Sequence, residues 1–180
     1  DLQARAACSI ARLVRLCTLP TAHANPSAKI VKNLCAFVCQ DTSITPLFVE
    51  TKGEREGTGA LPVAPPSERR ASAEPETLTP SRLIRRGAEC ALMHLCQQFG
   101  AQIWDELPIL WTCAAEPLLH DAPMDDARGQ ALLDACSVLE CIAPHVHTDL
   151  HESLASLLDA LVCVSQNEFR VLRGASARCF

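Results

Sequence analysis

The sequence predicts an all-α fold, an α-solenoid of antiparallel helix pairs interrupted by a disordered insertion, and three observations predict it. First, 48% of the 180 residues are hydrophobic, only 4% are aromatic and none is Tyr, which suits closely packed helices better than a β-sandwich. Second, apolar and small residues recur at helical spacing in successive segments bounded by Pro, Gly, Asn, Asp and Thr. Third, Arg-Gly pairs fall at Gly87, Gly129 and Gly174, 42 and 45 residues apart, a period typical of helical-pair repeats.

In the first segment Leu2, Ala6, Ile10, Leu13 and Cys17 mark one helix face, and Leu19-Pro20 ends it. Asn25-Pro26 supplies a cap and a first-turn proline for a second helix with the stripe Ile30, Val31, Leu34, Cys35 and Val38; the two are expected to pair as a hairpin. Residues 1–50 thus read as one HEAT-type helical pair. Residues 51–78 shift to Gly, Pro, Ser, Thr, Glu and Arg and read as a flexible, solvated insertion. Residues 79–180 read as further HEAT-type repeats, the last one truncated.

Thr79-Pro80 restarts the helical pattern, with Ile84, Ala88, Ala91, Leu92, Leu95 and Phe99 as the expected buried face and Gly100 as the stop. The next stripe, Ile103, Leu107, Leu110 and Ala114, contains Pro108, which should kink or split it. A helix launched at Asp125 carries Ala131, Ala135, Val138, Leu139 and Ile142. One launched at Thr148 carries Leu150, Leu154, Leu157, Leu158, Leu161 and Val162. Ser165 and Glu168 have the spacing of a capping box for a last helix through Val171, Leu172, Ala175 and Cys179. ARAACSIARL (4–13) aligns without gaps on RGAECALMHL (86–95), matching Ala6 with Ala88, Cys8 with Cys90 and Leu13 with Leu95. Such self-similarity is the mark of a HEAT/armadillo-like array.

Eleven cysteines, odd in number and placed on helical stripes, read as reduced thiols of a nuclear or cytosolic protein. Cys90 and His94 share a helix face, but Cys96 lies about 240° around from Cys90, so the three cannot close on one ion. Cys35 and Cys39 could supply two ligands only if another element supplied more. His145, His147 and His151 form the best remaining set. No metal site is expected from these spacings.

A formal charge of -5 argues against a broad nucleic-acid surface. Arg69, Arg70, Arg82, Arg85 and Arg86 are the one basic concentration, a solvated face or a partner contact. Trp104 and Trp111, seven apart, are expected to pack between repeats. No phosphate loop, catalytic triad or paired carboxylates appear in the sequence, and no stretch has the apolar length of a membrane span. The expectation is a segment with no catalytic or cofactor-binding residues of its own and no membrane partner. The chain opens at Asp1, inside a helical pattern by Leu2, and reads as a segment of something larger.

ARAACSIARLVRLC, NPSAKIVKNLCAFVCQDTSITP, RRGAECALMHLCQQFG, LPILW and EFRVLRGASARCF, in this order, resemble the HEAT-repeat region of the Mot family of Snf-type ATPases, the TATA-binding-protein-associated factors. The resemblance implies a nuclear regulator whose array grips the TATA-binding protein while a motor outside this segment hydrolyses ATP and strips that protein from DNA. It implies neighbouring HEAT repeats as partners, with this segment lying between the partner-binding repeats and the motor. It assigns no contact residue here. Two other readings stay open at the level of sequence, a HEAT adaptor such as a transport receptor and a Cys/His metal-binding module.

Overall fold

The computed structural model describes residues 2–19, 25–51 and 79–180. Among these residues the regular structure is helical throughout: α1 Leu2–Cys17, α2 Ser27–Val38, α3 Phe48–Thr51, α4 Pro80–Phe99, α5 Ile103–Glu106, α6 Pro108–Ala114, α7 Glu116–Leu119, α8 Asp126–Ile142, α9 His151–Ala155, α10 Leu158–Ser165 and α11 Arg170–Ala177. Short 3-10 turns occupy Gly100–Gln102, Ala143–His145 and Thr148–Leu150. The expected insertion lies outside the described residues except for Thr51, which closes α3.

The helices stack in two layers. In one, α1 packs on α4, α4 on α8 and α8 on α11; in the other, α2 packs on α6, and α7, which continues α6, packs on α10. Second-layer helices α2, α6 and α10 also lean on the next first-layer helix, α4, α8 and α11 in turn. Each unit therefore contacts its successor, the order of a solenoid. The expected hairpin of α1 with α2 is a minor contact, because α1 seats chiefly on α4.

That seating also overturns the expected face of α1. Ala7, Ala11 and Val14 are buried, whereas Leu2, Leu13 and Leu16 are exposed. The side chain of Gln3 reaches across so that its Nε2 donates to the Leu83 carbonyl at 2.9 Å and lies 3.0 Å from where a Cβ on Gly87 would stand. Helices this close need small side chains between them, so the alanines face α4 and the leucines turn outward. Burial pairs Ala7 with Ala88, Ala11 with Leu92 and Val14 with Leu95, one residue off the ungapped alignment. One residue is about 100° of rotation.

Side-chain caps start the two longest helices, α4 and α8. Thr79 accepts from the Arg82 amide at 3.3 Å with Pro80 in the first turn, and Asp125 accepts from the Arg128 amide at 2.7 Å. Asn25 accepts from the Ser27 amide at 3.0 Å, two residues before α2 begins, and Pro26 takes the cap position, not the first helical one. Pro108 splits the fourth stripe as expected, yet Ile103, Leu107, Leu110 and Ala114 all stay buried. α8 is buried on nearly every side, adding Gly129, Leu132, Leu133, Cys136 and Ser137 to the expected stripe; it is the central helix of the stack.

Two expectations fail near the end of the chain. The stretch from Thr148 to Val162 is a 3-10 turn and two short helices, not one helix. Ser156 Oγ donates to the Ser153 carbonyl at 2.6 Å, and the Leu157 amide reaches back only to Leu154, which tightens the chain and breaks the helical ladder. Leu157 and Leu161 are buried, while Leu158 and Val162 are exposed. Ser165 caps nothing: its Oγ donates to the Val162 carbonyl at 2.7 Å, and Asn167 accepts from the Phe169 amide at 3.0 Å just before α11.

Candidate functional site

Among the described residues, a heavily bonded polar junction surrounds Arg85. Thr79 and Pro80 start α4 so that Arg82, Arg85 and Glu89 fall on one face. Sequence pattern placed Ile84 inward and Arg85 in a solvated basic patch; the structure reverses them, with Ile84 42% exposed and Arg85 5%. Arg85 Nη1 donates to the Val38 carbonyl at 2.8 Å and to Thr45 Oγ1 at 3.1 Å, and Nε donates to Glu89 Oε1 at 2.6 Å. Val38 ends α2, so the guanidinium supplies both a donor and a positive charge to carbonyls that the helix leaves without partners.

Thr45 carries the contact onward to Ser137 Oγ of α8, 2.7 Å away. The turn that presents Thr45 is held by buried Asp41. Its carbonyl accepts from the Ile44 and Thr45 amides, and its carboxylate accepts from Ser43 Oγ at 2.5 Å and the Ser43 amide at 3.1 Å. The hydrogen bonds from Ser43 hold this carboxyl below the usual aspartate range, aided by Arg82, whose Nε lies 4.0 Å from Oδ2. Downstream, the Phe48 amide donates to Gln130 Oε1 at 2.8 Å. The segment between α2 and α3 is thus fastened to both α4 and α8. Chemically this arrangement fixes angles between successive helical units.

Other sequence candidates are dispersed or internal. Cys96 is buried, Cys90 and His94 are half-buried on α4, and burial pushes the Cys96 thiol up to about 12. His147 Nδ1 accepts from the Asp149 amide at 3.3 Å, which closes the turn before α9. Among the described residues no group of three or more His, Cys, Asp or Glu side chains could hold a metal ion. Arg86 is exposed, and Arg69 and Arg70 lie outside the described residues. Trp104 and Trp111 stack edge to face, centroids 5.3 Å apart at 67°, and both pack partly buried against the core. They line an open cavity of about 440 Å³ with Asp105, Pro108 and Glu116.

Sequence spacing could not join Cys35 and Cys39 of α2 to Cys113, because the approach of α6 to α2 is tertiary. The three thiols line one groove of about 240 Å³ with Lys32 and Asp134. Burial pushes the Cys39 thiol up to about 12, and desolvation raises the carboxyl of Asp134.

Comparison with known proteins places these features in context. The family model for a domain of unknown function, DUF3535, matches residues 1–113. Across 99% of the chain the sequence is 29% identical to the TATA-binding protein-associated factor BTAF1 of Arabidopsis thaliana, and across its whole length 30% identical to the TATA-binding protein-associated factor mot1 of Aspergillus fumigatus. It is 26% identical to the human TATA-binding protein-associated factor 172 over 99% of its length. The chain covers 10% of the Arabidopsis and Aspergillus proteins and 13% of the human one.

Proposed function

The chain belongs to the DUF3535 family, and from that membership we propose that it is a helical-repeat scaffold segment of a transcription regulator. The relatives' names support a parent associated with TATA-binding protein, and the motif resemblance supports one that removes it from DNA at the expense of ATP, in the nucleus. In this reading the segment couples repeats that hold the TATA-binding protein to a motor outside these residues. Its own partners are the flanking repeats.

The observation that carries the coupling role is the Arg85 junction. One buried guanidinium binds the end of α2, the 39–47 connection and its own helix, and Thr45 passes the contact to α8. A coupling element has to keep angles between successive units, because in a solenoid a defect spreads through neighbour contacts.

The test uses the full-length parent bearing Leu157→Asp, which places a carboxylate where the wild-type side chain is 1% exposed. ATP hydrolysis and displacement of TATA-binding protein are measured on one folded preparation. Retained basal hydrolysis with lost displacement is the expected result. Normal displacement by a protein whose repeat is disordered, shown by hydrogen exchange, would refute the role; equal loss of both activities would also count against it.

A further inference from the structure

We propose that the cavity of about 440 Å³ bounded by α5, α6 and α7 is a binding site for a methylated lysine side chain of a partner protein, with Trp104 and Trp111 as aromatic walls and Asp105 and Glu116 as counter-charge. Leu150 and Ser153 close its far side. Cavities of roughly 300–1,000 Å³ are the size that takes a small ligand or one side chain with its neighbours.

The break at Pro108 builds the walls. In one straight helix Trp111 would stand about 10 Å further along the axis than Trp104, too far for the rings to touch when both lean the same way. Instead α5 ends at Glu106 and α6 starts at Pro108, and across that break the rings meet edge to face, with centroids 5.3 Å apart at 67°. Inclined rings form a corner, and both tryptophans are only half-buried, so part of each stays open to the cavity.

The charge of the cavity selects a cation. Asp105 and Glu116 are exposed, and neither has an ion-pair partner among the described residues. Thr112 Oγ1 donates to Glu116 Oε1 at 3.1 Å, which orients that carboxylate. The faces of the indole rings carry negative potential of their own, so walls and counter-charge favour the same ligand. By contrast, the cavity of about 320 Å³ lined by Arg170 and Arg178 has the opposite charge.

Hydration decides which cation. A bare lysine ammonium is compact and strongly hydrated, whereas methyl groups present apolar surface that the rings can cover. A guanidinium is flat and would stack on one ring, while two inclined rings suit a rounded head group. The dimethyl form also keeps one N–H to donate to a carboxylate. Dimethyllysine therefore matches both the tryptophans and the acids. The site stands independently of the coupling role.

The experiment titrates the full chain by calorimetry with a capped Gly-Ser peptide carrying one central dimethyllysine, with the same peptide carrying unmodified lysine or arginine, and with tetramethylammonium chloride. Both tryptophans of the chain line the cavity, so intrinsic fluorescence reads its occupancy in parallel. The dimethyllysine peptide should change the fluorescence saturably and bind about tenfold tighter than either unmodified peptide. The double variant Asp105→Asn, Glu116→Gln, which removes charge and keeps shape, should bind it severalfold more weakly. Trp111→Leu should erase the preference for the methylated peptide. Absent binding, or equal affinity for the methylated and either unmodified peptide, overturns the site. So does unchanged binding by the double variant with helical circular dichroism intact, a result that decides the matter even if Trp111→Leu does not fold. Tetramethylammonium binding as tightly as the peptide would overturn the assignment to a protein side chain in favour of a free quaternary ammonium.

Discussion

The ring of Phe48 lies directly against the backbone of Gly129, so that a Cβ on that glycine would fall 2.3 Å from the ring's edge carbons. Phe48 is 2% exposed and also meets Phe169 edge to face, with centroids 4.9 Å apart. The ring has no free direction in which to retreat. Gly129→Ala should therefore overpack this contact and cost about 1–3 kcal/mol. Gly174, the equivalent glycine in α11, has nothing within 4 Å of its missing Cβ, and Gly174→Ala should be neutral or stabilise by up to about 1 kcal/mol. Urea denaturation of both variants checks the pair; equal effects would refute the contact.

Arg85→Ala leaves the Val38 carbonyl, the Thr45 hydroxyl and Glu89 without their shared donor. Buried acceptors left without a donor should cost about 1–3 kcal/mol. Arg85→Lys restores a charge, yet one ammonium cannot reproduce the guanidinium's planar fork, so most of the loss should persist. Unfolding midpoints for both variants, set against exposed Arg86→Ala, test this. Similar midpoints for the Arg85 and Arg86 variants would be incompatible with a buried junction.

Stability should fall as pH rises through the alkaline range. Cys39, Cys96 and Cys141, which titrate near 9.0 when unfolded, are held up to about 12 by burial in the folded chain. Cys35 and Cys136 are pushed up as well, first by hydrogen bonds with their partner thiols. Between these limits the folded state binds more protons than the unfolded state, so each such proton lowers stability by about 1.4 kcal/mol per pH unit. Cys113 has the opposite sign: its contribution is present above pH 9.0 and is lost as pH falls through about 7. Urea midpoints measured with reductant from pH 8 to 11 should decline progressively above 9. A flat profile would contradict the burial of these thiols.

Leu157→Ala should cost about 2–5 kcal/mol, because a fully buried leucine leaves a cavity that short helices close only in part. Leu158→Ala, next in sequence but 47% exposed, should cost much less. Thermal unfolding of the two variants separates them, and comparable losses would restore the continuous stripe in which both residues face inward.

Element type and approximate position were readable because caps and apolar spacing act locally. Thr79, Asp125 and Pro108 perform in the structure the roles their chemistry implies. Which face of α1 is buried was not readable. Large leucines dominate the stripe, whereas helix approach at Gly87 selects alanines. The burial of Arg85 was not readable for a related reason: a charged residue is placed outside by default, and its acceptors, Val38 and Thr45, are distant in sequence. The grouping of Cys35 with Cys113 likewise depends on the packing of α2 against α6.

The fastenings at Phe48, Thr79 and Arg85 have a consequence for how the fold opens. Phe48 is wedged on α8, Thr79 caps α4, and Arg85 ties α4 to the end of α2. Because these contacts join elements distant in sequence, α2, α4 and α8 should exchange their amide protons as one cooperative unit. A single methyl added at Gly129 would loosen that unit as a whole.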